Sequence, residues 1–266
     1  MLKLYDLCTS SPGGRLFSPF CVRARLALMA KDVPFETVMT TYHELRGYWK
    51  ERLKDLWEHK PTLPFMELDN GTFIMGSLEI ALWLDKEYPD RQNLLLPEAP
   101  LPMDVNSREY QDAVKEYKQQ KKPFPGGNPP GGDLVFELYA ARIPKVLDPQ
   151  AAAYWTSDEH LGEGKWASVV ARSAADEAHS VREIVDTLAQ FSKEHFDQGN
   201  LFLASPSKPG LKDFAMIGTY RLLRVTSKKL ADETWGSPES GEWPNWLERM
   251  SDAYPLALLW ERDPVE

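Results

Sequence analysis

Along residues 1–90 the hydrophobic positions switch repeatedly between a period of two and a period near 3.6. Leu2-Lys3-Leu4-Tyr5-Asp6-Leu7 and Phe35-Glu36-Thr37-Val38-Met39-Thr40 read as strands. Between them, Pro19 to Lys31 carries Val22, Leu26, Met29 and Ala30 along one side, as a helix with one apolar face does. Glu44–Glu58 is polar but sets Leu45, Trp49, Leu53 and Trp57 near helical spacing. Phe65–Leu68 and Thr72–Met75 are short apolar runs joined by Asp69-Asn70-Gly71, a strong hairpin signal. Ser77–Tyr88 repeats apolar residues at Leu78, Ala81, Leu82 and Leu84, which predicts a further helix. The order β-α-β-α-β-β-α closes with a hairpin, so the sheet must be mixed.

The rhythm then changes. Tyr88-Pro89-Asp90 stops the helix, and Leu94 to Pro102 holds Pro97, Pro100 and Pro102 without periodicity. We expect a first domain over residues 1–90, a linker over 91–104 and an all-helical domain over 105–266. Ala174–Phe196 places Ala174, Ala178, Val181, Ile184, Val185, Leu188 and Phe191 on one face, and Leu211–Val225 is apolar nearly all round, as a central buried helix would be. Trp246–Trp260 predicts a last helix. The Pro/Gly-rich stretch 122–132 divides two helices as a loop, and Pro144 is expected to kink the second of them.

Composition narrows the class. The 266 residues are 42% apolar and 27% charged, an ordinary globular balance. No run of about 18 apolar residues predicts a membrane span, and the N-terminus lacks a signal-peptide pattern. Cys8 and Cys21 make no disulfide framework, so a reducing cytoplasm is the default. Residues 1–96 hold 12 basic against 13 acidic side chains, and residues 97–266 hold 19 against 27. That balance offers no footprint for nucleic-acid phosphates. His43, His59, His160, His179 and His195 show no metal-ligand spacing with cysteines or acids, so no metal is expected.

The chemistry concentrates where the first strand turns into the first helix, at Phe17-Ser18-Pro19-Phe20-Cys21-Val22-Arg23. Pro19 suits the first helical position, which makes Ser18 the N-cap. Its hydroxyl then sits beside unpaired backbone donors at the positive end of a helix, a place that stabilises a thiolate. Taken alone, a Ser-Pro pair is a capping signal. Its company gives it a second meaning.

Three further segments supply that company. Lys60-Pro61-Thr62-Leu63-Pro64-Phe65 resembles the cis-proline segment before the third strand of cytosolic glutathione transferases. Met75-Gly76-Ser77-Leu78-Glu79-Ile80-Ala81-Leu82-Trp83-Leu84-Asp85 resembles that family's acidic-Ser helix start, and Pro209-Gly210-Leu211-Lys212-Asp213-Phe214-Ala215 resembles its second-domain capping element. The resemblance implies a thioredoxin-like first domain with a mixed four-stranded βαβαββα sheet, followed by an all-α domain. The Ser18 region looks most like the β-etherase-related and fungal serine-type classes. Ser-Pro-Phe-Cys also resembles the glutaredoxin and omega-type tetrad with its first cysteine changed to serine.

Glutathione is the co-substrate this resemblance implies, with an apolar or aromatic electrophile, aryl ethers among them, as the second. Ser18 would hydrogen-bond the glutathione sulfur, Leu63 beside a cis Pro64 would pair with its backbone, and Ser77 would bind the γ-glutamyl carboxylate. Lys50 would meet the glycyl carboxylate. Phe17, Tyr42 and Trp49, with Phe136, Tyr139 and Trp155 of the helical domain, would line the apolar pocket. Gly76 departs from the pattern, since the family usually has Asp or Glu there for the γ-glutamyl amine. Glu79 or a partner subunit would then supply the acid, and an acid restored at position 76 would be expected to tighten binding. Ser10 and Ser11 are alternative thiolate partners, and Cys21 is either a buried inert thiol or the agent of a thiol-transferase activity. A homodimer is expected, and a ligandin-type binder is the other functional class.

Overall fold

Alternate positions of the first strand face two different cores. In the computed structural model of the protein, which describes residues 1–11, 14–57, 60–119, 135, 138–175 and 177–255, β1 (Leu2–Leu7) lies second in a four-stranded sheet of order β2-β1-β3-β4. It pairs in parallel with β2 (Phe35–Thr40), from Leu2 opposite Phe35 to Leu7 opposite Thr40. It pairs antiparallel with β3 (Phe65–Glu67), Tyr5 opposite Phe65, and β3 turns back into β4 (Phe73–Met75). Leu2 and Leu4 join the core formed with α1 (Pro19–Ala30) and α3 (Ser77–Glu87). Tyr5 and Leu7 join a second core with Leu45, Trp49 and Leu53 of the segment that follows β2.

Helix α2 is three joined stretches: Tyr42–Glu44, a wider π-helical turn at Leu45–Trp49, and Lys50–Arg52. It starts earlier than the sequence pattern suggests because Thr41 closes a capping box. Thr41 Oγ1 accepts from the Glu44 N–H at 3.3 Å, and Glu44 Oε2 accepts from the Thr41 N–H at 2.7 Å. It also ends earlier, at Arg52 rather than Glu58.

The rest of the described chain is helical. It comprises α4 (Arg108–Gln119), α5 (Ile143–Val146), α6 (Pro149–Trp155), α7 (Asp158–Leu161), α8 (Lys165–Ala175), α9 (Glu177–Phe196), α10 (Leu211–Thr226), α11 (Lys228–Thr234) and α12 (Trp243–Ala253). Pro144 does not kink a helix. It sits in the first turn of α5, where its missing N–H costs nothing. Ala174, where a helix is expected to begin, lies at the end of α8, and α9 runs Glu177–Phe196; the last described helix, Trp243–Ala253, starts earlier than expected, and residues 256–260 lie outside the described residues. The expected loop 122–132 and Phe136 lie outside the described residues.

Helix α10 is the hub. Thirteen of its sixteen residues are buried, and it packs along α1. A Cβ at Gly218 would lie 2.6 Å from the Pro19 carbonyl oxygen and 2.9 Å from Pro19 Cα. Only a residue without a side chain lets the two backbones approach this closely. At the start of α10, buried Asp213 accepts from the N–H groups of Leu203 at 2.7 Å, Ala204 at 3.1 Å and Gly210 at 3.0 Å, and from Trp246 Nε1 at 2.9 Å. One carboxylate thus ties the helix start to the preceding loop and to α12.

Candidate active site

A cavity of about 400 Å³ opens where the start of α1, the start of α3 and the helical part meet. Its wall is built by Leu7, Ser18, Phe20, Arg23, Tyr42, Leu45, Arg46, the Thr62-Leu63-Pro64 stretch, Gly76 to Glu79, and His160. Of the residues the sequence singles out, Ser18, Tyr42, Leu63, Pro64, Gly76 and Ser77 meet here.

Ser18 is the N-cap of α1, and its Oγ accepts from the Cys21 N–H at 3.4 Å. Its backbone is extended, at φ −66° and ψ 125°, as an N-cap requires. Ser18 lines the cavity, and its hydroxyl lies at the electropositive end of a twelve-residue helix. Across from it, the Leu63–Pro64 peptide is cis, and Pro64 O accepts from the Gly76 N–H at 3.0 Å, binding this edge to the start of α3. No hydrogen bond engages the Leu63 N–H or C=O among the described residues. Leu63 thus presents an edge to which an extended peptide can add.

At the far end stand Ser77, Gly76 and Glu79. Ser77 is buried and opens α3. Its Oγ accepts from Arg23 Nη2 at 2.6 Å and from Arg23 Nε at 3.0 Å. Burial pulls the Arg23 guanidinium below its usual range, opposed by the nearby Tyr117 and Glu79. Gly76 holds φ at +104°, and the space its Cβ would occupy is filled by Glu79 Oε2.

The helical part contributes an aromatic wall. His160 of α7 packs its ring 4.6 Å from Trp155, 5.0 Å from Tyr154 and 6.1 Å from Tyr42, centroid to centroid. Arg46 crosses from α2, donating from Nε to Tyr154 Oη at 3.0 Å and from Nη1 to the Pro61 carbonyl at 2.9 Å. Burial, then the Arg46 charge, holds the His160 imidazole below its ordinary pKa, so the ring is neutral at pH 7.

Other expected residues lie elsewhere. Phe17 and Trp49 are buried in the second core and do not line the cavity. Tyr139 is half-buried against both cores. Lys50 is exposed and off the cavity wall, whereas Arg46, one turn earlier, is on it. An ordinary helix would put both on one face; the π-helical turn between them carries Lys50 out of register. Ser10 and Ser11 line a separate cleft with Thr41, His43, Glu44 and Asp148. Cys21 has no exposed surface, its Sγ accepts from the Leu7 N–H at 3.5 Å, and burial followed by the Asp6 charge pushes its thiol well above the usual range.

Arg23, Arg46 and His160 are the site residues that sequence reading passed over. Arg46 had a signal, since a cation on the second helix was sought there. Arg23 and His160 had none.

Among the described residues no group of three or more His, Cys, Asp or Glu side chains is placed to hold a metal ion, and no helix is long and apolar enough to cross a membrane. Residues 14–92 match the family model for the N-terminal domain of glutathione S-transferase. No curated protein matches the chain. Among solved structures, the glutathione S-transferase CsGST63524 of Ceriporiopsis subvermispora, in complex with glutathione, aligns at 18% identity over 95% of this chain and 97% of its own, with a TM-score of 0.65. Glutathione transferase GSTFuA3 of Phanerochaete chrysosporium aligns at 17% identity over 95% and 96%, with a TM-score of 0.64. Glutaredoxin 2 of Salmonella typhimurium, in complex with glutathione, aligns at 17% identity over 98% of each chain, with a TM-score of 0.55. The fold is therefore that of glutathione transferases, a thioredoxin-like sheet unit followed by a helical one.

Proposed function

We propose that this protein is a serine-type glutathione transferase that activates the glutathione thiol for attack on aromatic electrophiles, aryl ethers among them. The observation that carries this reading is the convergence of the Ser18 hydroxyl, the Leu63 backbone edge and the Ser77 helix start on one cavity. Glutathione would lie extended along Leu63, its sulfur at Ser18 and its γ-glutamyl end at Ser77. Arg46 takes the glycyl carboxylate, the role expected of Lys50. Ser18 Oγ–H donates to the sulfur and favours its ionised form, and the α1 N-terminus adds to the same effect. The co-substrate stacks on Tyr42 and His160, backed by Tyr154 and Trp155. The linker assignment 91–104, a cytoplasmic location and a two-fold dimer complete the proposal, cyclic pairs being the commonest assembly.

The thiol-transferase alternative needs a reactive Cys21, and a fully buried thiol with a raised pKa speaks against it. The aromatic wall alone also suits a ligandin-type binder with little turnover. Kinetics of Ser18→Ala with a chromogenic chloronitrobenzene distinguish these. A hydrogen bond to a charged group is worth about 1.5–3 kcal/mol, so kcat should fall about 10- to 100-fold, with little change in glutathione affinity and a pH–rate profile displaced to higher pH. An unchanged rate and profile would reduce Ser18 to a helix cap. Tight binding of an aromatic dye with no wild-type conjugation would favour the binder.

A further inference from the structure

The aromatic wall of the cavity carries a hydroxyl that the fold does not use. Tyr42 opens α2 directly after Thr41, whose capping box with Glu44 fixes the backbone beneath the ring. It lines the cavity, and its ring packs 5.4 Å from Tyr154, 6.1 Å from His160, 6.2 Å from Trp155 and 6.5 Å from Phe17, centroid to centroid. Trp155 Nε1 is committed to the Ala140 carbonyl at 3.1 Å, and Tyr154 Oη to Arg46. The Tyr42 hydroxyl makes no hydrogen bond among the described residues and is not sealed off from solvent. We propose that Tyr42 is a second catalytic residue, its O–H donating to the carbonyl oxygen of an aryl-conjugated carbonyl compound as the glutathione sulfur adds to the β-carbon. The site would then catalyse conjugate addition as well as substitution. This rests on the reading of the cavity as a glutathione transferase site and names a class of co-substrate for it.

In that step the thiolate forms the S–C bond at the β-carbon, and the C=C electron pair moves onto the α-carbon and the carbonyl oxygen. The enolate then takes up, at its α-carbon and through water, the proton that the thiol released. Nothing is oxidised and no group leaves. Negative charge therefore grows on an oxygen away from the sulfur, so the donor that meets it must be a group other than Ser18. A donor aimed at charge that appears only in the transition state lowers the barrier more than it tightens binding. Tyr42 stands where such a donor is needed, because Phe17, which its ring contacts, directly precedes Ser18. A phenol serves only while it keeps its proton. Burial, followed by Tyr154, Cys21 and Tyr139, pushes the Tyr42 phenol above its ordinary range against the opposing Arg46 charge, so it stays a donor. The same Arg46 charge favours a negative oxygen at this wall.

The experiment is steady-state kinetics of the full chain with glutathione and either of two co-substrates. Benzylideneacetone has the conjugated carbonyl, and benzyl chloride has no oxygen. Tyr42→Phe keeps the ring and breaks no hydrogen bond among the described residues. Loss of one oxyanion donor lowers kcat by about 100- to 1000-fold. Tyr42→Phe should therefore lose at least about tenfold more kcat on benzylideneacetone than on benzyl chloride, whereas Ser18→Ala should lower both by a similar factor. Equal losses on the two co-substrates overturn the proposal, because the ring then only packs. A pH–rate profile displaced by Tyr42→Phe on both overturns it too, because the hydroxyl then serves the sulfur. Wild-type turnover of benzyl chloride with no addition to benzylideneacetone overturns it while leaving the proposed function intact. Absence of turnover with either overturns it as well, and absence of glutathione binding in calorimetry overturns the proposed function with it.

Discussion

At Gly76 the backbone holds φ at +104°, a conformation that residues with a Cβ rarely adopt, and Glu79 already occupies the adjoining space. Gly76→Asp would therefore not restore a missing acid. The new side chain displaces the Glu79 carboxylate and strains the turn, at a cost of about 1–3 kcal/mol. We expect lower stability in chemical denaturation and no gain in glutathione affinity; tighter binding at unchanged stability would contradict this. The two cysteines give a second test at this scale. Both are free and buried, and burial, with the nearby Glu44 and Asp6 charges, pushes Cys8 up to about 12. An aromatic disulfide reagent should find no thiol in the native protein and both after unfolding. The folded state resists losing the Cys8 proton, whereas the unfolded thiol titrates near its ordinary value of 9.0. That contribution to stability is complete below pH 9 and is lost as pH rises towards 12. Urea midpoints compared between wild type and Cys8→Ala across pH 8 to 11 should diverge in the wild type's disfavour at the alkaline end.

Among elements, the contact between α1 and α10 decides how well the N-cap is held. Gly218→Ala would place a methyl 2.6 Å from the Pro19 carbonyl oxygen, against backbone that cannot swing aside. Overpacking of this kind costs about 1–3 kcal/mol. Because Pro19 directly follows Ser18, kcat should fall as well, and a melting curve with steady-state kinetics would show both losses; a thermally neutral, fully active variant would refute the argument. The same elements show what a sequence can and cannot disclose. β1, β2, the Asp69-Asn70-Gly71 hairpin and the Ser18 cap were legible because their signals are local: alternation, turn chemistry and a proline at the first helical position. Ser77 and Pro64 were legible through ordered spacing. Arg23 was not, since an arginine in a helix reads as solvated until a neighbouring helix start is laid over it. The pattern points to Lys50 instead of Arg46 because the π-helical turn at Leu45–Trp49, which changes the phase of α2, leaves no mark in the hydrophobic positions. His160 reaches the cavity from a four-residue helix far along the chain, and no local rule connects it to Tyr42. Phe17 and Trp49 were given to the cavity by their ring chemistry, but packing drew them into the core.

At the scale of the whole molecule, a buried ion pair within the sheet unit reaches the helical part through Tyr110. Lys31 Nζ lies 2.9 Å from Asp85 Oδ1 and donates to the Tyr88 carbonyl at 2.9 Å, with both charged side chains fully buried. Asp85 also accepts from the Leu94 N–H at 2.9 Å and from Tyr110 Oη of α4 at 3.1 Å. Removing one partner strands the other charge in the core, which costs about 3–5 kcal/mol, whereas replacing both with apolar residues costs far less. Lys31→Met alone should therefore lower the melting temperature by roughly 10 °C, and Lys31→Met with Asp85→Leu should recover most of that loss; a double variant worse than the single would reject this account. The glycine contact on α10 has a different consequence, for recombination between relatives. An exchange of helical halves, made to borrow another protein's co-substrate preference, inherits whatever residue stands where Gly218 does. A donor with even a methyl group there would push Pro19, and Ser18 with it, off its mark, so the two halves are interchangeable only between lineages that keep that position bare.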